Sequence, residues 1–225
     1  MVIESLTTGP GYTVLRRWIP LPVLDEISRI KLVPQRGKTA EGQYWKLPEA
    51  QPELALWWSQ QISQHAAVRQ VTDLCRSAIG TLFSEAKIYA ADCIVNTGLN
   101  QHRVYPHIDT PYRFAAWQRS RDLLAVQFLV PLVEFTAENG ATAIVEHSHR
   151  YLWDIKELYR GVYDQWFLDN HLQILMQPGD ILAYNPRLVH STMPNHTDKD
   201  RRALLISVMD QEIVTAVAAV DASRH

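Results

Sequence analysis

With only two cysteines in 225 residues, and neither in a metal or redox spacing, the chain has no disulfide framework. Cys75 and Cys93 are therefore expected as reduced thiols in a reducing compartment. No apolar run approaches the roughly 18 residues a membrane-spanning helix needs. The first thirty residues carry Pro10, Arg16, Arg17, Pro20 and Pro22 rather than the basic, apolar and small-residue succession of a secretion signal, so a cytoplasmic location is expected. Charge of one sign is also missing: 22 basic against 24 acidic side chains give a net charge of −2, and no run of like charges forms a tail. Nothing draws the whole molecule toward nucleic acid or an anionic membrane, which leaves a small molecule as the expected partner. Internal repeats, low-complexity tracts and interdomain linkers are absent as well.

What is present is an apolar content of 47% with 20% charged residues, enough to bury a substantial core in one domain over residues 1–225. Prolines and glycines (Pro10, Pro20, Pro22, Pro34, Gly37, Gly42, Pro48) break residues 1–50 into short strands and loops, with a helix possible at Leu21–Leu32, where Pro22 suits a first turn. Between Pro52 and Phe83 no proline intervenes. Leu54, Leu56, Trp57, Ile62, Ala66, Val68, Val71, Leu74, Cys75, Ile79 and Leu82 recur there near helical spacing, which predicts one or two helices packed on a sheet, with Trp57 and Trp58 at the packing surface.

From Ala86 the texture turns to short β-type segments at Lys87–Asn96, Leu123–Val133, Thr142–Glu146, Gln173–Met176, Asp180–Tyr184 and Ala203–Asp210. They are punctuated by Gly98-Leu99-Asn100, Glu138-Asn139-Gly140, Gln177-Pro178-Gly179 and Pro194-Asn195. The aromatic-rich stretch Tyr151–Asn170 reads as a helical insertion. The pattern predicts a mainly β fold with helices: a double-stranded β-helix (jelly-roll, cupin-like) core at about residues 86–212, flanked by an N-terminal helical and loop preface at about 1–85.

The chemistry concentrates in two stretches. His107 and Asp109 lie two residues apart, so on a strand both side chains point to one side. His190 completes two imidazoles and a carboxylate if the chain folds back, the facial set that binds non-haem Fe(II) and leaves open positions. Period two also puts His190 and Thr192 on one face, and Arg201 on a face with Ala203, Leu205 and Ser207, the smaller and more polar face of that strand. A guanidinium beside a threonine hydroxyl suits a carboxylate held in bidentate fashion. The loop after Asp109 carries Tyr112, Arg113 and Trp117, which either contact a substrate or pack in a solvated rim. Asn96, Gln101 and Arg103 either line the approach or serve turns and strands. His102, His147 and His171 read as surface imidazoles.

The ordered run of His107 and Asp109, Glu138-Asn139-Gly140, Ser148-His149-Arg150, Gly179-Asp180, His190 and Arg201 resembles the phytanoyl-CoA dioxygenase family of Fe(II)/2-oxoglutarate oxygenases. The chain departs from that family at Glu146-His147, where Pro-Gly is usual, and at Leu129, where Trp is frequent. The resemblance implies His107, Asp109 and His190 as iron ligands, and Arg201 with Thr192 as holders of the distal carboxylate of 2-oxoglutarate. It also implies Gln127 as a polar contact on an inward strand face and His149 as a structural residue. Its cofactor set is Fe(II), 2-oxoglutarate and O2, and its activity the hydroxylation of a small molecule, an amino acid or natural-product intermediate, with release of succinate and CO2. Retention of the Asp109 carboxylate favours this over halogenation. A non-catalytic metal-binding jelly-roll and a zinc hydrolase on the same three ligands are the alternatives.

Overall fold

The computed structural model describes residues 2–32, 56–59, 62–101 and 103–222, with residues 56–59 and 221–222 at the level of the backbone. The expectations for residues 33–55, and for His102 as a surface histidine, lie outside the described residues.

The N-terminal part opens with helix α1 (Val2–Thr7), strand β1 (Tyr12–Leu15) and helix α2 (Leu21–Ser28). Proline fits the first turn of α2 because no intrahelical partner waits for its missing N–H. Strand β2 (Leu56–Ser59) and helix α3 (Ala66–Ala78) follow. In α3 the residues Ala67, Val68, Val71 and Cys75 form a buried stripe at helical spacing, while Arg69, Asp73 and Arg76 face outward. The expectation that Trp57 and Trp58 belong to one of the one or two helices between Pro52 and Phe83 is corrected: this stretch pairs with the next strand, Trp57 opposite Val95 and Trp58 opposite Ile94. Adjacent tryptophans suit either state, and a strand edge waiting for a partner decided it.

The core consists of β3 (Ala86–Asn96), β4 (Ala125–Pro131), β5 (Thr142–Ile144), β6 (Leu172–Gln173), β7 (Ile181–Tyr184), β8 (His190–Thr192) and β9 (Arg201–Asp210). They form a six-stranded sheet ordered β1-β7-β4-β9-β3-β2 and a three-stranded sheet ordered β6-β5-β8. All the ladders are antiparallel. This is a jelly-roll. The insertion between β5 and β6 holds helices α4 (Ile155–Tyr159) and α5 (Asp164–Asn170), and helix α6 (Gln211–Ala222) follows β9. Neither α1 nor α6 was expected, since each is short on charge patterning and earns its place by packing. The expected strand Gln173–Met176 shrinks to Leu172–Gln173 plus a single bridge between Met176 and Phe135.

Period-two alternation in the large sheet explains its two faces. Val126, Phe128, Val130, Leu204, Ile206 and Val208 pack with Leu6, Leu24, Ile27, Val68, Val71 and Cys75 in one core cluster, sealing the helices to the outside of the sheet. Leu129, Leu182, Tyr184 and Ala203 point the other way and meet Ile144, Phe135, Ile174 and Met176 between the sheets. A third cluster, with Ile108, Tyr112, Leu158 and Phe167, anchors the insertion helices.

Gly140 closes the Glu138-Asn139-Gly140 turn at φ +77, where a Cβ would lie 2.3 Å from the Met193 carbonyl oxygen and 2.6 Å from the Asn96 amide nitrogen. Only glycine accepts both the left-handed backbone and that approach.

Candidate metal centre

Three segments converge on one point. The stretch carrying His107 is held to β8 by reciprocal backbone bonds with His190, 3.0 and 3.1 Å long, so the two histidines face each other as an antiparallel pair with ring centroids 4.2 Å apart. His107 thus sits at an isolated bridge rather than in the regular strand expected for 107–109. The Asp109 N–H donates to the Pro186 carbonyl at 2.8 Å, which pins the carboxylate to the turn between β7 and β8. Spacing of two residues still serves, because the extended backbone aims both side chains the same way.

The protonation pattern is set by the backbone. His107 Nδ1 lies 2.9 Å from the Tyr105 carbonyl and His190 Nδ1 2.9 Å from the Leu188 carbonyl. Each Nδ1–H donates to its carbonyl, which leaves Nε2 of each ring to meet Asp109. His107 Nε2 is 3.8 Å from Oδ1, and His190 Nε2, 3.4 Å from Oδ2, meets the carboxylate through a proton that a bound metal would replace. One ligand atom from each of the three residues lies within 4.8 Å of the others. Adjacent ligands about 2.1 Å from a metal in octahedral array stand about 3 Å apart, so a small closure would complete a site.

Electrostatics agree with a ligand set. Burial pushes the Asp109 carboxyl up, but the two histidines and a Tyr184 hydrogen bond outweigh it and hold the group ionised, below the usual carboxylate range. Burial, then the neighbouring His190, lowers the His107 pKa to about 4. Burial opposes charge on His190 too, yet the Asp109 carboxylate wins and raises it.

Tyr184, which the sequence reading passed over, touches two of the three residues. Its hydroxyl donates to Asp109 Oδ2 at 3.1 Å, and its ring packs edge-on against His190 with centroids 5.0 Å apart. The available signal was its parity with Leu182 after the Gly179-Asp180 turn, which puts it on the inner sheet face.

Arg201 is 1% exposed and lies over the Phe135 ring at 4.4 Å, among the side chains between the sheets. Its Nε and Nη1 have no hydrogen-bond partner among the described residues, and burial lowers its pKa to about 10. Thr192 is half-buried on β8, while Arg202 faces away from Arg201 as alternation requires. Gln127 is 4% exposed, pairs in register with both Tyr184 and Ser207, and leaves its Oε1 unpartnered among the described residues, as Ser207 leaves its Oγ. Asp92 shares that inner face, opposite Leu205, and burial alone raises its pKa to about 6.

The expected substrate contacts divide. Arg113 is half-buried, within electrostatic reach of His107, and stacks on Phe114 at 5.0 Å. Trp117 packs beside the insertion cluster. Tyr112 takes the packing alternative: it is fully buried, its hydroxyl donates to the Asp122 carbonyl and accepts from the Leu124 N–H. Asn96 is buried and tied into the fold, its amide donating to the Met193 carbonyl and accepting from the Asn100 amide. Gln101 is exposed, with its amide near the Leu99 carbonyl. Arg103 forms a bidentate ion pair with Asp164, tying its loop to α5. Among the described residues no helix is long and apolar enough to cross a membrane.

Comparison with known proteins gives this arrangement a setting. Among solved structures, HygX from Streptomyces hygroscopicus, with nickel, 2-oxoglutarate and hygromycin B bound, superposes with a TM-score of 0.65 at 15% identity, over 93% of this chain and 85% of that one, which establishes the shared fold. Dioxygenase olcK of Penicillium canescens is 23% identical over 99% of this chain and 74% of its own length. Dioxygenase trt7 of Aspergillus terreus is 35% identical over 86 residues, 38% of this chain, and the match spans only 27% of that relative. The profile described as Phytanoyl-CoA dioxygenase (PhyH) matches residues 22–203, the stretch that contains both histidines, the aspartate and Arg201. A jelly-roll with this His-Asp-His cluster, matched over most of its length, therefore belongs to the phytanoyl-CoA dioxygenase family.

Proposed function

We propose that the protein is an Fe(II)- and 2-oxoglutarate-dependent dioxygenase, the whole chain forming one oxygenase domain, that hydroxylates an unactivated C–H bond of a small molecule such as a natural-product intermediate. His107 and His190 hold the metal through Nε2 and Asp109 through its carboxylate. Fe(II) bound there, with 2-oxoglutarate and O2, supplies a two-electron oxidation coupled to decarboxylation of the keto acid to succinate and CO2.

The residues supply the rest. The backbone carbonyls of Tyr105 and Leu188 fix the imidazole tautomers, and Tyr184 steers one carboxylate oxygen of Asp109. Arg201 takes the distal carboxylate of 2-oxoglutarate with Thr192 beside it. Gln127 faces the cosubstrate or substrate from β4, and Arg113 and Trp117 stand at the substrate side.

One observation carries the reading beyond metal binding: a guanidinium 1% exposed with two nitrogens unpartnered among the described residues. Such a buried charge is costly until an anion meets it, and a passive metal-binding module has no use for a fixed carboxylate receptor; a zinc hydrolase would be told apart by its metal and by turnover without O2. Relatives named as dioxygenases, and a neighbour whose structure contains 2-oxoglutarate, support the assignment.

The test is succinate formation. The expected result is succinate only when Fe(II), 2-oxoglutarate and O2 are all present, and none from His107→Ala. Metal uptake without any 2-oxoglutarate binding would refute the proposal.

A further inference from the structure

A cavity of about 350 Å³ is lined by Arg121, Arg150, Arg187, His149, Asn185 and Thr8 among others, and by none of the His-Asp-His residues. Three guanidiniums meet there, and no aspartate or glutamate is in the lining.

Arg187 is the anomalous member. It is 3% exposed, yet none of its partners is a carboxylate: Nη1 donates to the Ser120 carbonyl, Nη2 donates to the Tyr151 carbonyl at 2.8 Å, and the group lies 5.5 Å from the Tyr112 ring centroid. A guanidinium carries about five N–H donors, so most remain to be used. Burial lowers its pKa, Tyr112 opposes that, and Arg121 lowers it further, the signature of a buried cation with a second cation beside it. Arg150 spends Nη2 on the carbonyls of Thr8 and Gly9. Arg121 is exposed and makes no hydrogen bond or ion pair among the described residues.

His149 adds no charge. Burial lowers its pKa, and its Nε2–H donates to the Thr7 carbonyl at 3.0 Å. The positive charge among the lining residues is that of the three arginines, with no carboxylate beside them in the lining.

We infer that this cavity is a second ligand site that binds a small oxyanion, a phosphoryl or carboxylate group, between Arg121, Arg150 and Arg187. Planar guanidinium forks match such oxygens in bidentate fashion. The volume stands at the lower end of small-molecule sites, about 300–1,000 Å³, which fits an oxyanion carrying a short organic remainder. The site is distinct from Arg201, which lies between the sheets on β9 and is absent from the lining. It also has a physical link to the metal centre: Arg187 belongs to the turn whose Pro186 carbonyl holds the Asp109 N–H, and it ties the chain at Ser120 to the chain at Tyr151.

The inference stands independently of the iron reading, so the experiment uses metal-free full-length protein. Inorganic phosphate is titrated at constant ionic strength in chloride buffer, with heat and tryptophan fluorescence as readouts, and acetate is titrated as a second arm. Saturable one-site binding is expected, weakened at least tenfold in Arg121→Gln, partly restored in Arg121→Lys, and unchanged in Arg201→Ala. Tighter binding of phosphate assigns a phosphoryl group, and tighter binding of acetate a carboxylate. Since Arg121 supports no other contact, its variants keep their thermal unfolding profile. Three results would overturn the inference: no saturation by either anion, equal affinity in Arg121→Gln, or loss of binding in Arg201→Ala.

Discussion

Replacing Arg201 with Met separates ligand binding from folding, because the two are expected to move in opposite directions. The guanidinium is 1% exposed, with Nε and Nη1 unpartnered among the described residues. Its pKa falls from 12.5 to about 10, a burial cost of about 3 kcal/mol at the ordinary conversion of pKa to free energy. Methionine removes the charge, keeps apolar contact with Phe135, and should leave the ligand-free chain as stable as before or more so. With 2-oxoglutarate the sign reverses. Losing one partner of a buried charge pair costs about 3–4 kcal/mol, or roughly 10²–10³-fold in Kd.

Thermal unfolding reads both effects. The assay uses anaerobic protein loaded with a redox-inert divalent metal, with and without 2-oxoglutarate. At about 100 times its Kd the ligand adds about 2.7 kcal/mol to the parent chain. At the same concentration a variant binding about 300-fold more weakly gains only about 0.2 kcal/mol. At roughly 2–4 °C per kcal/mol for a chain of this size, the parent Tm rises by about 5–10 °C and that of the variant hardly moves. Metal content is expected to stay equal. An undiminished 2-oxoglutarate shift in Arg201→Met would refute the anchor, and a ligand-free variant several kcal/mol less stable would mean that Arg201 is a strut against Phe135.

Tyr184→Phe removes the hydrogen bond to Asp109 Oδ2 while keeping the ring against His190; metal affinity by direct titration should weaken about 10–100-fold, with little change in the KM for 2-oxoglutarate. Asp92 gives a pH signature: burial raises its pKa from 3.8 to about 6, so the folded chain binds this proton more tightly than the unfolded one and stability falls as pH rises through that window. Asp92→Asn should flatten the slope between about pH 4 and 6 and stabilise the chain at pH 7 by about 1–2 kcal/mol, after discounting for partial exposure, measured by urea unfolding across pH. Gly140→Ala places a Cβ 2.3 Å from the Met193 carbonyl oxygen on a φ of +77; a loss of at least about 2 kcal/mol in the same unfolding assay is expected, and an unchanged midpoint would show that the turn yields easily.

The sequence by itself determined the elements whose signal is local. Period two marked Lys87–Asn96 and the Arg201 face, turn residues marked the Glu138-Asn139-Gly140 corner, and the two-residue spacing of His107 and Asp109 marked the metal pair. Each depends on neighbours a few residues away, and the structure places β3, β9 and the turn there. Tertiary structure decided what depends on distant partners. Trp57 and Trp58 became a strand because β3 offered an edge, and Tyr112 and Asn96, polar enough to read as pocket residues, bond to Asp122, Leu124, Met193 and Asn100. Tyr184 gained its place at Asp109, 75 residues away in the chain, only when β7 delivered it beside His190. The arginine cavity gathers side chains from four separated segments, so spacing along the chain holds no trace of it. Backbone geometry repeats over two to four residues and can be read from order alone, whereas the partner of a buried polar atom is fixed only when the chain closes on itself.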